Sequence, residues 1–414
     1  MTILVVGAGL SGLVAADALS ASGHEVTVVE ARDRMGGRLW TIRDGLSSGQ
    51  FAELGAETMY AGHENVLALA KRLELDAVAC GYFDPQAPDM LFNGRRLERV
   101  ERERVTGWLL ERYRADPPVL FENLEAWTAR LSAPREVISF LKAFTQYTPV
   151  TSLRHADAQE FERQLSHESD AYRIVGGNDL LARRLAEGLN VRLGQRVRAI
   201  HWGGSVVTVE CDGESYVADR VVVTVPGPLV VGVGFDPPLP PEKVRALSEL
   251  HYGTAAKVVV QYAERPAIAA AVGPGCFTDD VPPWIVDQSV HQEGESVLVS
   301  SLLGGDAEPP MIGSAQYEAF DRAIEALVGH SVTRQNAMSH SWTQDEFARV
   351  IVRAPLGDQR TRVLPDVQRP LGSKVFFAGE HTDDRKGPGG LEGAVRSGLR
   401  VAHEILNSGE CPAI

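Results

Sequence analysis

Gly7, Gly9 and Gly12 stand in the spacing G-x-G-x-x-G, directly after an apolar stretch at 3–6 and ahead of a helical pattern at 13–22. Without side chains, such a loop lets backbone approach a pyrophosphate and turns N–H groups toward it at the positive end of a helix. Glu30 follows 18 residues after Gly12, at the end of a second strand pattern at 25–29. A carboxylate there accepts hydrogen bonds from a ribose diol and repels a 2′-phosphate. The chemistry implied is the binding of an adenine dinucleotide, NAD or FAD.

More residues of this kind follow. Glu30-Ala31-Arg32 runs on to Gly36-Gly37-Arg38 and then to Gly55-Ala56-Glu57. Near the other end, Phe377-Ala378-Gly379-Glu380-His381-Thr382 precedes Leu391-Glu392-Gly393-Ala394-Val395-Arg396. Together these segments resemble the flavin-containing amine oxidase superfamily, which includes monoamine and polyamine oxidases and related amino-acid oxidases. The resemblance covers most of the chain and is weakest over 85–170. It implies that Gly37 and Arg38 continue around an FAD pyrophosphate, with Arg32 beside them. Gly55 and Ala56 would then pass beside the flavin ring, and Glu380, after Gly379, would contact the ribityl-pyrophosphate region. The helix starting at Leu391 would aim backbone donors at the flavin pyrimidine, where a helix start stabilises the negative charge of reduced flavin. Val197 falls where the family uses backbone on the adenine side.

The resemblance also implies catalytic candidates. His251-Tyr252-Gly253 through Lys257-Val258 is similar to the family segment whose lysine holds a water against flavin N5. Buried lysines can have a depressed pKa and can orient water. Trp342, in Ser341-Trp342-Thr343, matches a tryptophan near the flavin. Glu57 replaces a residue that is usually neutral. With a pKa raised by burial it would act as a base or pair with a substrate cation; the alternative is a structural glutamate bonded to backbone or arginine. Some members attach FAD through a cysteine nine positions after the tryptophan. Ile351 stands there, so the expectation is FAD held non-covalently. The places of the family's two substrate-framing aromatic rings are Val352 and Gly390, so that cage is expected to be absent. Tyr60, Tyr172 and Trp284 are further pocket candidates that no motif fixes.

These residues need elements to position them. The first thirty residues read as a β-α-β unit, and strand patterns return at 191–200, 206–209 and 220–225. Alternating strands of a half-buried sheet are expected at 256–262, 284–287 and 296–302. Helices are expected at 317–327 and 391–406, and the charged stretch from 95 reads as a helical insertion running to about 141. The implied class is α/β: a discontinuous Rossmann-like, glutathione-reductase-like FAD-binding domain (1–78, 190–245 and 345–414). An α+β substrate domain with a mixed sheet and helices would take 79–189 and 246–344.

At 414 residues and 44% hydrophobic content, the chain is long enough for two or three globular domains. A net charge of −14 argues against nucleic acid as the main partner. Cys80, Cys211, Cys276 and Cys411 lack zinc spacing, and no metal is expected. The apolar start is broken by glycines and no apolar run is membrane-length, so the expectation is a cytoplasmic monomer or homodimer. The resemblance implies an oxidase that moves hydride from a C–H next to an amine or amide nitrogen to the flavin. An imine results, and O2 is the acceptor, giving H2O2. A specialised biosynthetic intermediate is as good a substrate candidate as a common amine. Two alternatives stay open: a desaturase of the phytoene desaturase and protoporphyrinogen oxidase type, and a non-catalytic FAD-binding protein.

Overall fold

A computed structural model describes residues 1–83, 88–165, 169–305, 312–354, 357–384 and 389–408. Cys411 lies outside them, and the other three cysteines are free and buried.

The opening strand Thr2–Val6 is the middle of a five-stranded parallel sheet. Glu25–Val29 and then Asn190–Arg192 lie on one side, Arg220–Val223 and Val375–Phe377 on the other. Its strands are short apolar runs because both faces are covered, as parallel sheets require. The first helix, Leu10–Ala21, and the last, Gly390–Asn407, cover one face together. They approach closely: a Cβ on Gly398 would stand 2.5 Å from the Ser11 carbonyl oxygen. Ser11 and Ser397 hydroxyls lie 2.9 Å apart, and both accept from the Gly379 N–H.

The strand pattern expected over 191–200 is two strands in two sheets. Asn190–Arg192 ends the parallel sheet, and Val197–His201 belongs to a separate four-stranded sheet. Between them Gly194, at φ +71°, turns the chain. The turn is latched by Gly194 N–H to the Arg32 carbonyl (2.9 Å) and Gln195 N–H to the Glu30 carbonyl (2.7 Å).

A seven-stranded mixed sheet runs Arg334–Ser341, Ala255–Tyr262, Val297–Gly304, Trp284–Asp287, Cys276–Thr278, Asp89–Phe92, Arg95–Arg96. Asp89–Phe92 and Arg95–Arg96 therefore join the sheet, and the helical insertion starts only at Arg99. The sheet is not half-buried as expected: every residue of Ala255–Tyr262 is buried. Val258 and Val260 pack toward the helices Arg265–Val272 and Ser314–Val328. On the opposite face Val259 meets Ala52 and Leu54. The polar residues that alternate with these valines, Lys257 and Gln261, face other protein segments rather than water. A three-stranded sheet pairs Met59–Tyr60 and Ala77–Phe83 with Ser169–Ile174. Among the described residues no helix is long and apolar enough to cross a membrane, and no group of three or more His, Cys, Asp or Glu side chains is placed to hold a metal.

Candidate active site

A cavity of about 1020 Å³ runs from the N-terminal glycine loop to the seven-stranded sheet. At one end Gly7 and Gly9 open the first helix, whose N-cap is Gly9 with no side-chain cap. The last helix also starts at the cavity uncapped by a side chain, with Gly389, Gly390 and Leu391 on the wall. Its Glu392, also on the wall, accepts from the Asn65 side chain (2.6 Å) and the Val66 N–H (3.0 Å). Two helix ends thus leave backbone donors free beside one space, as anionic groups need.

Glu30 lines the same end. Its carboxylate accepts from the Ala8 N–H (2.8 Å) and the Arg32 N–H (2.9 Å), and burial pushes the carboxyl up. Arg32 pairs with Asp345, and Val197 follows at the wall. Arg38 Nη1 donates to Glu380 at 2.9 Å and to the Ile351 carbonyl at 2.7 Å, joining the early and late motifs. Gly37 packs on Gly9, where a Cβ would approach the Gly9 Cα to 3.2 Å. The fit to a dinucleotide is a glycine cradle, a buried acid and two uncapped helix ends. Of the cofactor-binding candidates, Gly12 alone does not line the cavity. A Cβ there would stand 2.0 Å from the Gly7 carbonyl oxygen, so its role is the approach of helix to loop.

At the other end the segment Gly55, Ala56, Glu57 is tied down from several directions. Trp342 Nε1 donates to the Leu54 carbonyl at 2.8 Å, and Asn178 Nδ2 donates to the carbonyls of Ala56 (3.0 Å) and Glu57 (2.8 Å). Lys257 projects from the buried strand Ala255–Tyr262 and ion-pairs with Glu57. The other Glu57 oxygen pairs with Arg173, from the strand Ser169–Ile174. Gln288 and Ser300 also donate to Glu57, at 3.0 and 2.9 Å.

Of the two readings of Glu57, the base with a raised carboxyl is overturned and the glutamate bonded to an arginine is the one the structure has. Burial pushes it up, but Lys257 and Arg173 outweigh that and hold it at about 2. A carboxylate so held is a poor base and has no oxygen left for a substrate cation. The pairing has a measurable pH signature. Glu57 contributes stability that is fully present above about pH 4.5 and is lost as pH falls toward about 2. Its size is on the order of 3 kcal/mol. Glu57→Gln is expected to be less stable than the wild type at neutral pH, with the gap closing on acidification below about pH 4.5. Paired denaturant melts across that range would show it, and a constant gap would refute it.

Val352 and Gly390 both line the cavity. Aromatic rings come instead from Tyr60, Tyr147 and Trp284. The Tyr60 and Tyr147 hydroxyls are hydrogen-bonded, and the Tyr147 and Trp284 ring centroids lie 4.9 Å apart. Burial pushes the Tyr60 phenol up to about 12, so it stays protonated. Tyr172 is not at the wall. Strand alternation sends it into the core beside the parallel sheet while Ala171 and Arg173 face the cavity. Arg173 and Tyr147 were not anticipated. The only signal for Arg173 was its neighbour Tyr172, one residue out of phase.

Residues 10–120 and 120–406 match the family described as flavin containing amine oxidoreductase. The chain is 29% identical over 451 residues to an L-amino-acid oxidase of Mus musculus, covering 98% of this chain and 71% of that protein. Its fold matches a cyclohexylamine oxidase from Brevibacterium oxydans with TM-score 0.85 and 19% identity, covering 99% of each chain. A putrescine oxidase structure matches with TM-score 0.83 and 21% identity, covering 98% of this chain and 99% of that one.

Proposed function

The chain belongs to the flavin containing amine oxidoreductase family, and on that premise we propose that it is an FAD-dependent oxidase of a small amine or amide. Membership makes it an oxidoreductase that uses a flavin. In our reading the flavin is FAD, held without a covalent link, O2 is the acceptor, and the substrate is a specialised amine. The chemistry that FAD supplies when bound is hydride acceptance from a C–H next to nitrogen, leaving an imine, with return of both electrons to O2 as H2O2.

The observation that carries this reading is that both glycine motifs, both uncapped helix ends, Lys257 and Trp342 border one cavity. The residues that would hold FAD are Gly7, Gly9, Glu30, Arg32, Gly37, Arg38 and Val197 on the dinucleotide side. Gly55, Ala56, Gly379, Glu380 and Leu391 would serve toward the ring. Glu380 would act together with Arg38, since the two are ion-paired. Lys257 would hold a proton donor toward the reacting centre, and its strand, buried on both faces, fixes where that donor points. The aromatic side chains and Leu302 would exclude water from the far end. The FAD domain in this reading comprises 1–78, 190–245 and 345–414, with 79–189 and 246–344 for substrate.

Anaerobic mixing with a panel of amines, amino acids and amides tests the function. Bleaching of the flavin, and peroxide on admitting air, are expected. If none of the panel bleaches it and polyenes or carbocycles do, the reading fails. Acid precipitation tests the linkage: all yellow chromophore is expected in the supernatant, and colour retained in the pellet would overturn non-covalent binding.

A further inference from the structure

The charges at the substrate end of the cavity are unusual in their balance. Lys257 and Arg173 are cations, and the carboxylate beside them is Glu57, which both of them share. Among the described residues, the other carboxylates on the cavity wall are Glu30, Glu346, Glu380, Asp383 and Glu392. Glu346, Glu380 and Asp383 are ion-paired to Arg196, Arg38 and Arg396. Glu30 and Glu392 accept from backbone and from the Asn65 side chain. At the wall the Glu57 cluster thus presents two buried cations and one shared carboxylate to the substrate, while Asp287 and Glu53, which also act on Arg173, are buried off the wall.

From this we infer that Arg173 is a specificity-determining residue that makes the cavity reject amines carrying a second ammonium group. The inference rests on the amine-oxidase reading above. The reacting nitrogen must offer its lone pair and is neutral when it reacts. A second, remote amine has no such requirement and stays protonated at neutral pH. Brought against Lys257 and Arg173, it meets like charge where water is excluded. Without Arg173, Glu57 would have one oxygen free of a cation and would be available to that ammonium. The aromatic faces of Tyr60, Tyr147 and Trp284 attract cations weakly. At close range the excess of cations over carboxylate at the wall outweighs them.

Arg173 has a further property that fits this role. Nη1 donates to the Asp287 carbonyl at 2.8 Å and Nη2 to Glu57, but Nε is buried with no partner among the described residues. A buried unpaired donor favours an acceptor on the ligand. Tails that are neutral or that carry a carboxylate suit this wall, and tails that carry an ammonium do not.

The test uses three amines of equal length on the holoenzyme: hexylamine, ε-aminocaproate and hexamethylenediamine. In the wild type, kcat/KM for the diamine is expected to be lower than for the other two by roughly tenfold or more. In Arg173→Leu the ratio of diamine to hexylamine is expected to rise by roughly tenfold or more, because Glu57 gains a free oxygen. Arg173→Lys, which keeps the charge, should hold the wild-type ratio. Glu57→Gln leaves two cations and no anion, and should lower the ratio further; it serves if Arg173→Leu does not fold. The same ratios are read without turnover from dissociation constants of analogues with a fully substituted carbon beside nitrogen, which bind but cannot be oxidised. A wild type that takes the diamine as well as hexylamine overturns the inference, as does a ratio unmoved in Arg173→Leu or not lowered in Glu57→Gln. Failure of the parent reading looks different: no amine of any kind bleaches the flavin, although these analogues still bind in the order given.

Discussion

Replacing Lys257 with methionine is expected to slow flavin reduction by an amine substrate by roughly 10²- to 10⁴-fold, the range typical of a positioned proton donor or acceptor. Methionine nearly matches the length of the lysine stem and removes only the charged head. The strand that carries Lys257 is buried along all its length and paired on both edges, so its backbone has little freedom to compensate. Removing one member of a buried ion pair usually costs several kcal/mol, because the partner charge is left without compensation. Here Glu57 keeps Arg173, Gln288 and Ser300 as partners, so the fold and the bound flavin should survive. Stopped-flow absorbance under anaerobic conditions separates the two effects, since flavin content is read before substrate is added. An unchanged reduction rate in a fully loaded Lys257→Met enzyme would remove Lys257 from the chemistry.

A contrasting pair of glycine substitutions should divide fold from cofactor binding. A Cβ on Gly12 would lie 2.0 Å from the Gly7 carbonyl oxygen and 2.9 Å from the Thr224 hydroxyl. Backbone cannot yield cheaply there, so Gly12→Ala must push the first helix off the loop that opens it. That disturbs Ser11 and its contact with Gly379, so flavin content and thermal stability should both collapse. At Gly9 a Cβ would meet no protein atom within 4 Å, and φ is −73°, which alanine adopts freely. Gly9→Ala should therefore fold like the wild type yet bind FAD at least about tenfold more weakly, because the methyl group occupies the path of closest backbone approach. Flavin titration of the apo forms with parallel thermal melts gives both readings. Equal flavin affinity for Gly9→Ala and wild type would move the pyrophosphate away from this loop.

What the sequence revealed and what it hid divide along physical lines. The unit from Gly7 to Glu30 is local, and one β-α-β turn brings Gly7, Gly9 and Glu30 to the cavity wall. It was therefore legible from spacing. Glu380 and Leu391 were legible for the same reason, through a motif of short range. Arg173 was not, because its meaning depends on Glu57, 116 residues away, and on which face of Ser169–Ile174 looks inward. Tyr172 drew attention as an aromatic residue, but the strand's alternation of sides gives the wall to its neighbours. The strand Ala255–Tyr262 misled in another way. Lys257 and Gln261 between valines look like a water-facing edge, yet that face is covered by residues near 47–54, where Gln261 bonds to Gln50 at 2.7 Å. Alternation reports that two faces differ, and it says nothing about whether the polar one meets solvent or protein. For Glu57, the sequence offered a raised base or an arginine-bonded glutamate, and only the fold, by bringing Arg173 and Lys257 to it, decides for the second.

The ion pair between Arg38 and Glu380 joins residues 342 apart in the chain, and the parallel sheet that supports it takes its outer strand from Val375–Phe377. During synthesis Arg38 and the opening strand emerge early, whereas Glu380 and the outer strand Val375–Phe377, which pairs with Arg220–Val223, emerge late. At about 5–20 residues per second, the ribosome spends roughly 20–70 s between the two. Until the late segment emerges, the sheet lacks its outer strand and Arg38 lacks Glu380. Cofactor capture is in this sense a post-translational event, the closing step of maturation rather than a seed for folding.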